Sequence, residues 1–322
     1  MVERDPAHPR KDGESAVNEP AVTFDENVLN EFWMFVRERH SVFEKRFLQG
    51  QPPPWTEDPI LRQYKFTNVF RELDRGTVWV QKQVLERDLT HEEKVYWVMA
   101  YRMGIQTWVF DKFWASCGQS LTERNVNAFY GFLRSNALMG KPIWTDAYTV
   151  CPVKFYDKDL KVDNLGYLLI DLYQKWIEQL VDELRKAPNL KAAHRVIRTI
   201  PGFADFLAYE VVCDLMYAGG LLWEKGFTEN DWVNAGPGCR RGLKAMVVEN
   251  TGITWEEMIE FLRAEQDDYC RQYGLEPIRW AGKPLSLRNV EHSLCEFSKY
   301  IRLKQGKGTT RRFKQTGEPL WL

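Results

Sequence analysis

No run of apolar residues in this 322-residue chain approaches the roughly 20 needed to cross a bilayer, so a membrane-embedded protein is not expected. No Cys-x-x-Cys pair occurs among the six cysteines, and the five histidines do not bracket them at zinc-ligand spacing, which argues for a reduced compartment and against a structural zinc. The first 23 residues lack both an apolar signal core and the Arg-rich, acid-poor character of a transit peptide. They read as a polar leader, with the cytoplasm as the default address, host cytoplasm if the source is viral. There is almost no net charge, a formal −1, so attraction to nucleic acid has to come from local clusters of Lys and Arg. Internal repeats are absent, and no sustained β-α alternation supports a parallel sheet.

What the chain has in quantity is apolar and aromatic side chains, 44% and 14% of residues, arranged mostly at helical spacing. Val28, Leu29, Phe32, Trp33, Phe35 and Val36 recur at three- and four-residue steps after Asp25. Thr90-His91-Glu92-Glu93 reads as a capping box, because a Thr hydroxyl and a Glu three residues on can each satisfy a free backbone N–H. Further helices are expected at Leu165–Leu184, Leu190–Ile197, Phe206–Leu222, Arg240–Glu249, Trp255–Tyr273 and Val290–Ile301, with a short alternating hairpin at Trp144–Phe155. The predicted architecture is all-α with one short β-hairpin. Residues 24–301 form one helical catalytic domain of two coupled lobes, and 302–322 a basic tail.

Five segments carry chemistry. Pro201-Gly202-Phe203-Ala204, between two helical patterns, can bring backbone N–H groups and a helix N-terminus up to a phosphate, although the same residues also serve as a plain helix-to-helix loop. Ala204 stands where a second Gly of a helix-hairpin-helix signature would be. Phe66–Arg75, read as a helix, sets Asn68, Arg71 and Arg75 on one side with Asp74 beside Arg71. That suits a phosphate or diphosphate, or else a solvated salt-bridge face. Glu210 and Asp214 lie four apart in an apolar helix, where burial fits a carboxylate for base work as readily as for an ion pair. Asp231-Trp232-Val233-Asn234-Ala235-Gly236-Pro237-Gly238, ahead of Arg240, is an anion nest or a generic loop. Leu294-Cys295-Glu296-Phe297-Ser298-Lys299-Tyr300 holds a cysteine read as a packing residue and the candidate cation Lys299.

Together the Phe-Thr-Asn-Val-Phe-Arg-Glu-Leu-Asp-Arg segment, the Ile-Pro-Gly-Phe turn, the Asn-Ala-Gly-Pro-Gly loop and the Leu-Cys-Glu-Phe-Ser-Lys-Tyr segment resemble the α-glutamyl/putrescinyl-thymine pyrophosphorylase family, the helical-domain relatives of the 5-hydroxymethyl-deoxyuridine DNA kinases. The resemblance runs from about Glu31 to Arg312. It implies a helix-hairpin-helix, DNA-glycosylase-like fold and a transferase that exchanges the diphosphate on a hydroxymethyluracil of double-stranded DNA for an amino acid or polyamine. A 5-hydroxymethyluracil DNA kinase would act as its partner enzyme. On that reading Arg71 and Arg75 stabilise the departing diphosphate, helped by Arg240 or Lys299, and Asp74 or Asp214 takes the proton of the amine. Phe66, Trp79 or Trp232 stacks on the flipped base. Pro201, Gly202, Phe203, Ala204, Gly236 and Gly238 hold DNA phosphates, and Asn68 and Asn234 line the base site. A diphosphate substrate suits Mg²⁺, though Asp and Glu are too dispersed to name ligands. Two other classes stay open: a glycosylase, for which Asp231 is the nearest candidate for the catalytic Asp, and a non-catalytic DNA-binding component.

Overall fold

In a computed structural model that describes residues 22–145, 154–308 and 310–313, helix dominates. Its helices are α1 (Glu26–Phe43), α2 (Pro59–Gln63), α3 (Arg75–Val80), α4 (His91–Arg102), α5 (Thr107–Cys117), α6 (Glu123–Leu138), α7 (Lys161–Asp171), α8 (Ile177–Lys186), α9 (Leu190–Ile197), α10 (Asp205–Leu215), α11 (Leu221–Glu224), α12 (Pro237–Met246), α13 (Trp255–Ala264), α14 (Gln266–Gln272) and α15 (Leu287–Lys304). Two strands, β1 (Val22–Phe24) and β2 (Val247–Asn250), pair antiparallel. The fold is all-α with this small sheet as its single β-element among the described residues.

Local chemistry sets most helix starts. The Asp25 carboxylate accepts from the Asn27 and Val28 N–H groups and opens α1. Thr90 and Glu93 complete the capping box of α4, and Thr254 with Glu257 does the same for α13. α10 is buried on every side from Ala208 to Leu215, as expected of a helix that is apolar all round and packs centrally. One aromatic cluster forms where α4, α5 and α6 meet, with Trp97 edge-on to Phe129 at 5.3 Å. Another joins α1 to α15 through Phe32 and Phe297, also at 5.3 Å.

α15 is the hub that positions the site. Along it α12 packs closely enough that a Cβ at Gly238 would overlap the Cys295 side chain and one at Gly242 would overlap the Leu294 carbonyl. α1 and α13 lie against its remaining faces.

Two sequence expectations change. Phe66–Asp74 is not a helix: apart from a 3₁₀ turn at Arg71–Leu73 it is a loop, and α3 begins only at Arg75. The long patterns at 206–222, 240–249 and 255–273 are each interrupted. Gly219 ends a turn at a φ of 81°, Val247 switches to strand, and Glu265 separates α13 from α14. The expected hairpin at Trp144–Phe155 falls largely on residues 146–153, outside those described. Trp144 itself bridges to Ile105.

Candidate active site

The loop 66–74 is closed by its own polar groups. The Asn68 backbone N–H donates to Asp74 Oδ1 at 2.9 Å, and the Asn68 amide donates to the Leu73 carbonyl at 2.7 Å. The Arg71 guanidinium pairs with Asp74. Helical spacing on α15 then offers a polar stripe, Asn289, His292, Glu296 and Lys299, at steps of three and four. Asn289 Oδ1 accepts from the Arg71 N–H at 3.0 Å, and Glu296 Oε2 accepts from the Thr67 N–H at 3.0 Å. His292 Nε2 lies 2.6 Å from Thr67 Oγ1. Lys299 donates to Glu296 at 2.6 Å and to the Lys65 carbonyl at 2.9 Å, with its ammonium 4.3 Å from the centre of the Phe66 ring.

Behind the loop lies a buried charge network. Arg102 of α4 donates to Glu210 at 2.5 Å and to Asp214 at 2.6 Å, so one guanidinium bridges two carboxylates of α10. Arg288 of α15 lies 3.5 Å from Glu210 and 3.9 Å from Glu229. Burial favours the neutral form of Glu210, but Arg102 and Arg288 outweigh it and hold this carboxyl well below the usual range.

The carboxyls nearer the loop behave oppositely. Burial and the neighbouring Glu229 push Glu72 up to about 7. Burial, then repulsion from Glu210, raises Glu291 to about 7, although it accepts the Gly236 N–H. Burial likewise raises Glu229. His292 is driven well below the ordinary histidine value by burial and by the Arg71 cation, so at neutral pH its imidazole is uncharged. Arg71 Nε, Glu72 Oε2 and Arg288 Nε are buried and make no hydrogen bond among the described residues. A neutral imidazole beside a hydroxyl, carboxyls poised near 7 and a buried guanidinium are groups able to move protons and hold an anion.

Of the residues singled out in the sequence, Phe66, Asn68, Arg71, Asp74 and Lys299 come together here. Arg75 sits on the exposed first turn of α3. Asp214 is fully buried and clamped by Arg102, which fits it for a strut and not for an exchangeable base. Trp79 stacks on Trp114 at 5.5 Å and donates to Asp111, in the α4–α5 aromatic cluster. Trp232 packs on His194 and Tyr209. Exposed Asp231 accepts the Thr228 N–H and closes a turn, so the structure gives it no place in the cluster. Half-buried Asn234 precedes Ala235, whose N–H is taken by Glu256.

The two backbone phosphate sites also separate. Gly236 and Gly238 serve helix packing, the first giving its N–H to Glu291 and the second making room for Cys295, while Arg240 donates to the Ala235 carbonyl at 2.7 Å. The 198–204 turn does join α9 to α10 as a helix-turn-helix. Gly202 is at a φ of 84°, Phe203 is buried and Ala204 is exposed at the start of α10.

Sequence reading missed Arg102, Arg288, Thr67 and His292. Arg102 and Arg288 each interrupt an apolar stretch, and His292 falls one helical step from Asn289 and from Glu296. Those signals were present but pointed to no partner. Among the described residues no group of three His, Cys, Asp or Glu side chains is arranged to hold a metal ion, and no helix is long and apolar enough to cross a membrane.

Helical topology and the charged cluster define a domain built to keep ionisable groups on a central helix. The chain belongs to the family described as the helical domain of 5-hmdU DNA kinases, which it matches over residues 26–309. It is 29% identical over 281 residues to the 5-hmdU DNA kinase of Bacillus phage SP10. That alignment takes in 82% of this chain and 43% of the phage protein, so the chain spans less than half the length of that curated relative. No solved structure matches it significantly.

Proposed function

We propose that the protein is a DNA base-hypermodifying transferase, replacing the diphosphate of a 5-(pyrophosphoryloxymethyl)uracil in double-stranded DNA with an amine, an amino acid or a polyamine. The observation that carries this reading is the cluster of Arg71, neutral His292 and Thr67 in a chain whose family is tied by name to 5-hmdU. In the reaction the methylene C–O bond breaks and diphosphate leaves with the electron pair, while the amine nitrogen forms the new C–N bond and sheds a proton. Arg71 stabilises the charge building on the leaving oxygen. Glu72, raised to about 7, accepts the proton, while uncharged His292 holds the Thr67 hydroxyl. A DNA kinase acting on 5-hydroxymethyluracil supplies the substrate, in the cytoplasm of a phage-infected cell. Mg²⁺ bound to the diphosphate would travel with that substrate.

The helix-turn-helix at α9–α10 supports a glycosylase-like grip on the DNA backbone, with the N-terminus of α10 as the end that meets a phosphate. The test uses duplex DNA carrying diphosphorylated hydroxymethyluracil with a pool of amino acids and polyamines, nucleosides being identified by mass spectrometry. A heavier nucleoside is expected from the wild type, with a loss of about 10²–10³-fold in rate for Arg71→Ala or His292→Ala and unchanged circular dichroism. Near-normal turnover in both variants overturns the assignment, and an abasic product overturns transfer in favour of excision.

A further inference from the structure

The loop 66–74 is docked on α15 at two anchors. Asn289 Oδ1 accepts the Arg71 N–H and Glu296 Oε2 the Thr67 N–H, each at 3.0 Å, so the loop runs against the helix in the opposite direction, with residue 71 toward the helix start and residue 67 toward its end. Along α15 the two anchors are two turns apart, about 10.5 Å at a rise of about 1.5 Å per residue. A helical stretch from 67 to 71 would cover only about 6 Å, whereas an extended one covers up to about 13 Å. Docking on both anchors therefore favours an open loop over a helix.

The Asn289 anchor falls at the head of a turn. Arg71 opens the 3₁₀ turn Arg71–Leu73, in which the Leu73 N–H donates to the Phe70 carbonyl and the Asp74 N–H to the Arg71 carbonyl. The first N–H groups of such a turn have no partner within it, and for Arg71 a side chain 218 residues away supplies the acceptor. That side chain is itself held. Asn289 is buried, and its own N–H donates at 3.2 Å to the hydroxyl of Ser286, the N-cap of α15. Arg71 is thereby fixed at both ends, its N–H by Asn289 and its guanidinium by Asp74. Glu72 follows in the same turn, half-buried and within electrostatic reach of Glu229, Arg288 and Lys283. One bond at the head of the turn places both residues.

From this geometry we infer that Asn289 is a positioning residue of the reaction. By holding the Arg71 N–H it sets the turn that carries the leaving-group cation, Arg71, and the proton acceptor, Glu72, at a fixed separation from Thr67 and His292. It acts through those two residues and not on substrate. The other end of the loop has holds of its own: Glu296 takes the Thr67 N–H, and Arg39 Nη2 donates to the Phe66 carbonyl at 3.2 Å and to Asn68 Oδ1 at 2.9 Å. Loss of Asn289 therefore loosens the turn and leaves the remainder of the loop in place. The catalytic meaning of the anchor rests on the transfer reaction proposed above, whereas the anchor itself is tested without it.

The test measures amide hydrogen exchange at Arg71 and the transfer rate on diphosphorylated hydroxymethyluracil DNA, in the full chain, for Asn289→Ala and for Asn289→Asp, which keeps an oxygen acceptor. Asn289→Ala is expected to lower the protection of the Arg71 amide about tenfold. It should also lower kcat about tenfold with KM near that of the wild type, less than the about 10²-fold that a 1 Å misplacement can cost, because the other anchors remain. The acidic limb of the pH–rate profile, near pH 7 in the wild type, should move to lower pH as Glu72 leaves the surroundings that raise it. Asn289→Asp restores the protection and most of the rate. Should Asn289→Ala not fold, Asn289→Ser, polar but shorter, carries the same expectations. Unchanged Arg71 protection in a folded Asn289→Ala or Asn289→Ser overturns the anchor and leaves the reaction standing. A rate loss that Asn289→Asp does not recover, or one with the pH–rate limb unmoved, overturns positioning in favour of a purely structural role. Lowered Arg71 protection alongside a wild type that makes no transfer product keeps the anchor and removes the reaction.

Discussion

Arginine serves two purposes in this molecule, and the contrast between Arg102 and Arg46 shows how surroundings separate them. Arg102 lies inside, 2% exposed, with Glu210 and Asp214 closing on its guanidinium from the next helix. Every charge there has an opposite within hydrogen-bond reach, so the group holds α4 to α10 and has no charge to offer a ligand. Arg46 lies among rings in a cavity that carries three guanidiniums and no carboxylate among the described residues. Burial pushes its neighbour Arg39 down to about 10, opposed by Glu296 and assisted by Arg46 itself. The two guanidiniums thus differ in their surroundings, one set among carboxylates and the other among rings.

The sharpest way to break this comparison is Arg102→Met. Removing the cation strands two buried carboxylates, and a loss of about 3–5 kcal/mol is expected by urea denaturation. Arg46→Gln, by contrast, should leave the denaturation midpoint close to that of the wild type. Equal destabilisation by both would mean that Arg46, too, is a strut.

A smaller effect tests the helix that carries the α15 polar stripe. Gly238→Ala drives a methyl into Cys295 where α12 meets α15, at a cost of about 1–3 kcal/mol by the same measurement. Were Gly238 a phosphate-binding glycine, the substitution would instead weaken DNA binding and spare stability.

The smallest effect is one of pH. Glu72 has its folded-state pKa raised to about 7, so between its ordinary value and 7 the folded chain binds more protons than the unfolded one. Its contribution to stability therefore falls as pH rises through that window. Glu72→Gln should flatten that decline in melting temperature between about pH 5 and 8. Glu210, held low, acts in the opposite sense, contributing above the ordinary carboxylate range and losing that contribution as the pH falls below it. An unchanged slope in Glu72→Gln would place the titrating group elsewhere in the cluster.

Much of the helical frame was legible. The Thr90 capping box and the α9 span stand where the residues indicate, because caps and apolar spacing are decided within a few residues. Phe66–Asp74 misled for a physical reason. Its three- and four-residue spacing fits a helix, but Asn68, Thr67 and the Arg71 N–H find better partners in Asp74, Glu296 and Asn289. Two of those three are more than 200 residues away. Sequence separation likewise hid Thr67 with His292, 225 residues apart, and Arg102 with Glu210, 108 apart, since a lone polar residue in an apolar stretch declares that it needs a partner without saying which.

By itself, then, the sequence determined the all-helical class, most helix starts, the turn at Pro201-Gly202 and the pairing of Arg71 with Asp74. Tertiary structure alone decided that Asp214 is a strut, that Trp79 belongs to a remote aromatic cluster and that the 311–313 segment completes a cationic cavity with 63–65. Helix starts follow from hydrogen bonds made within one turn. Whether a buried charge is neutralised or left to meet a ligand follows from which distant side chains the fold delivers beside it.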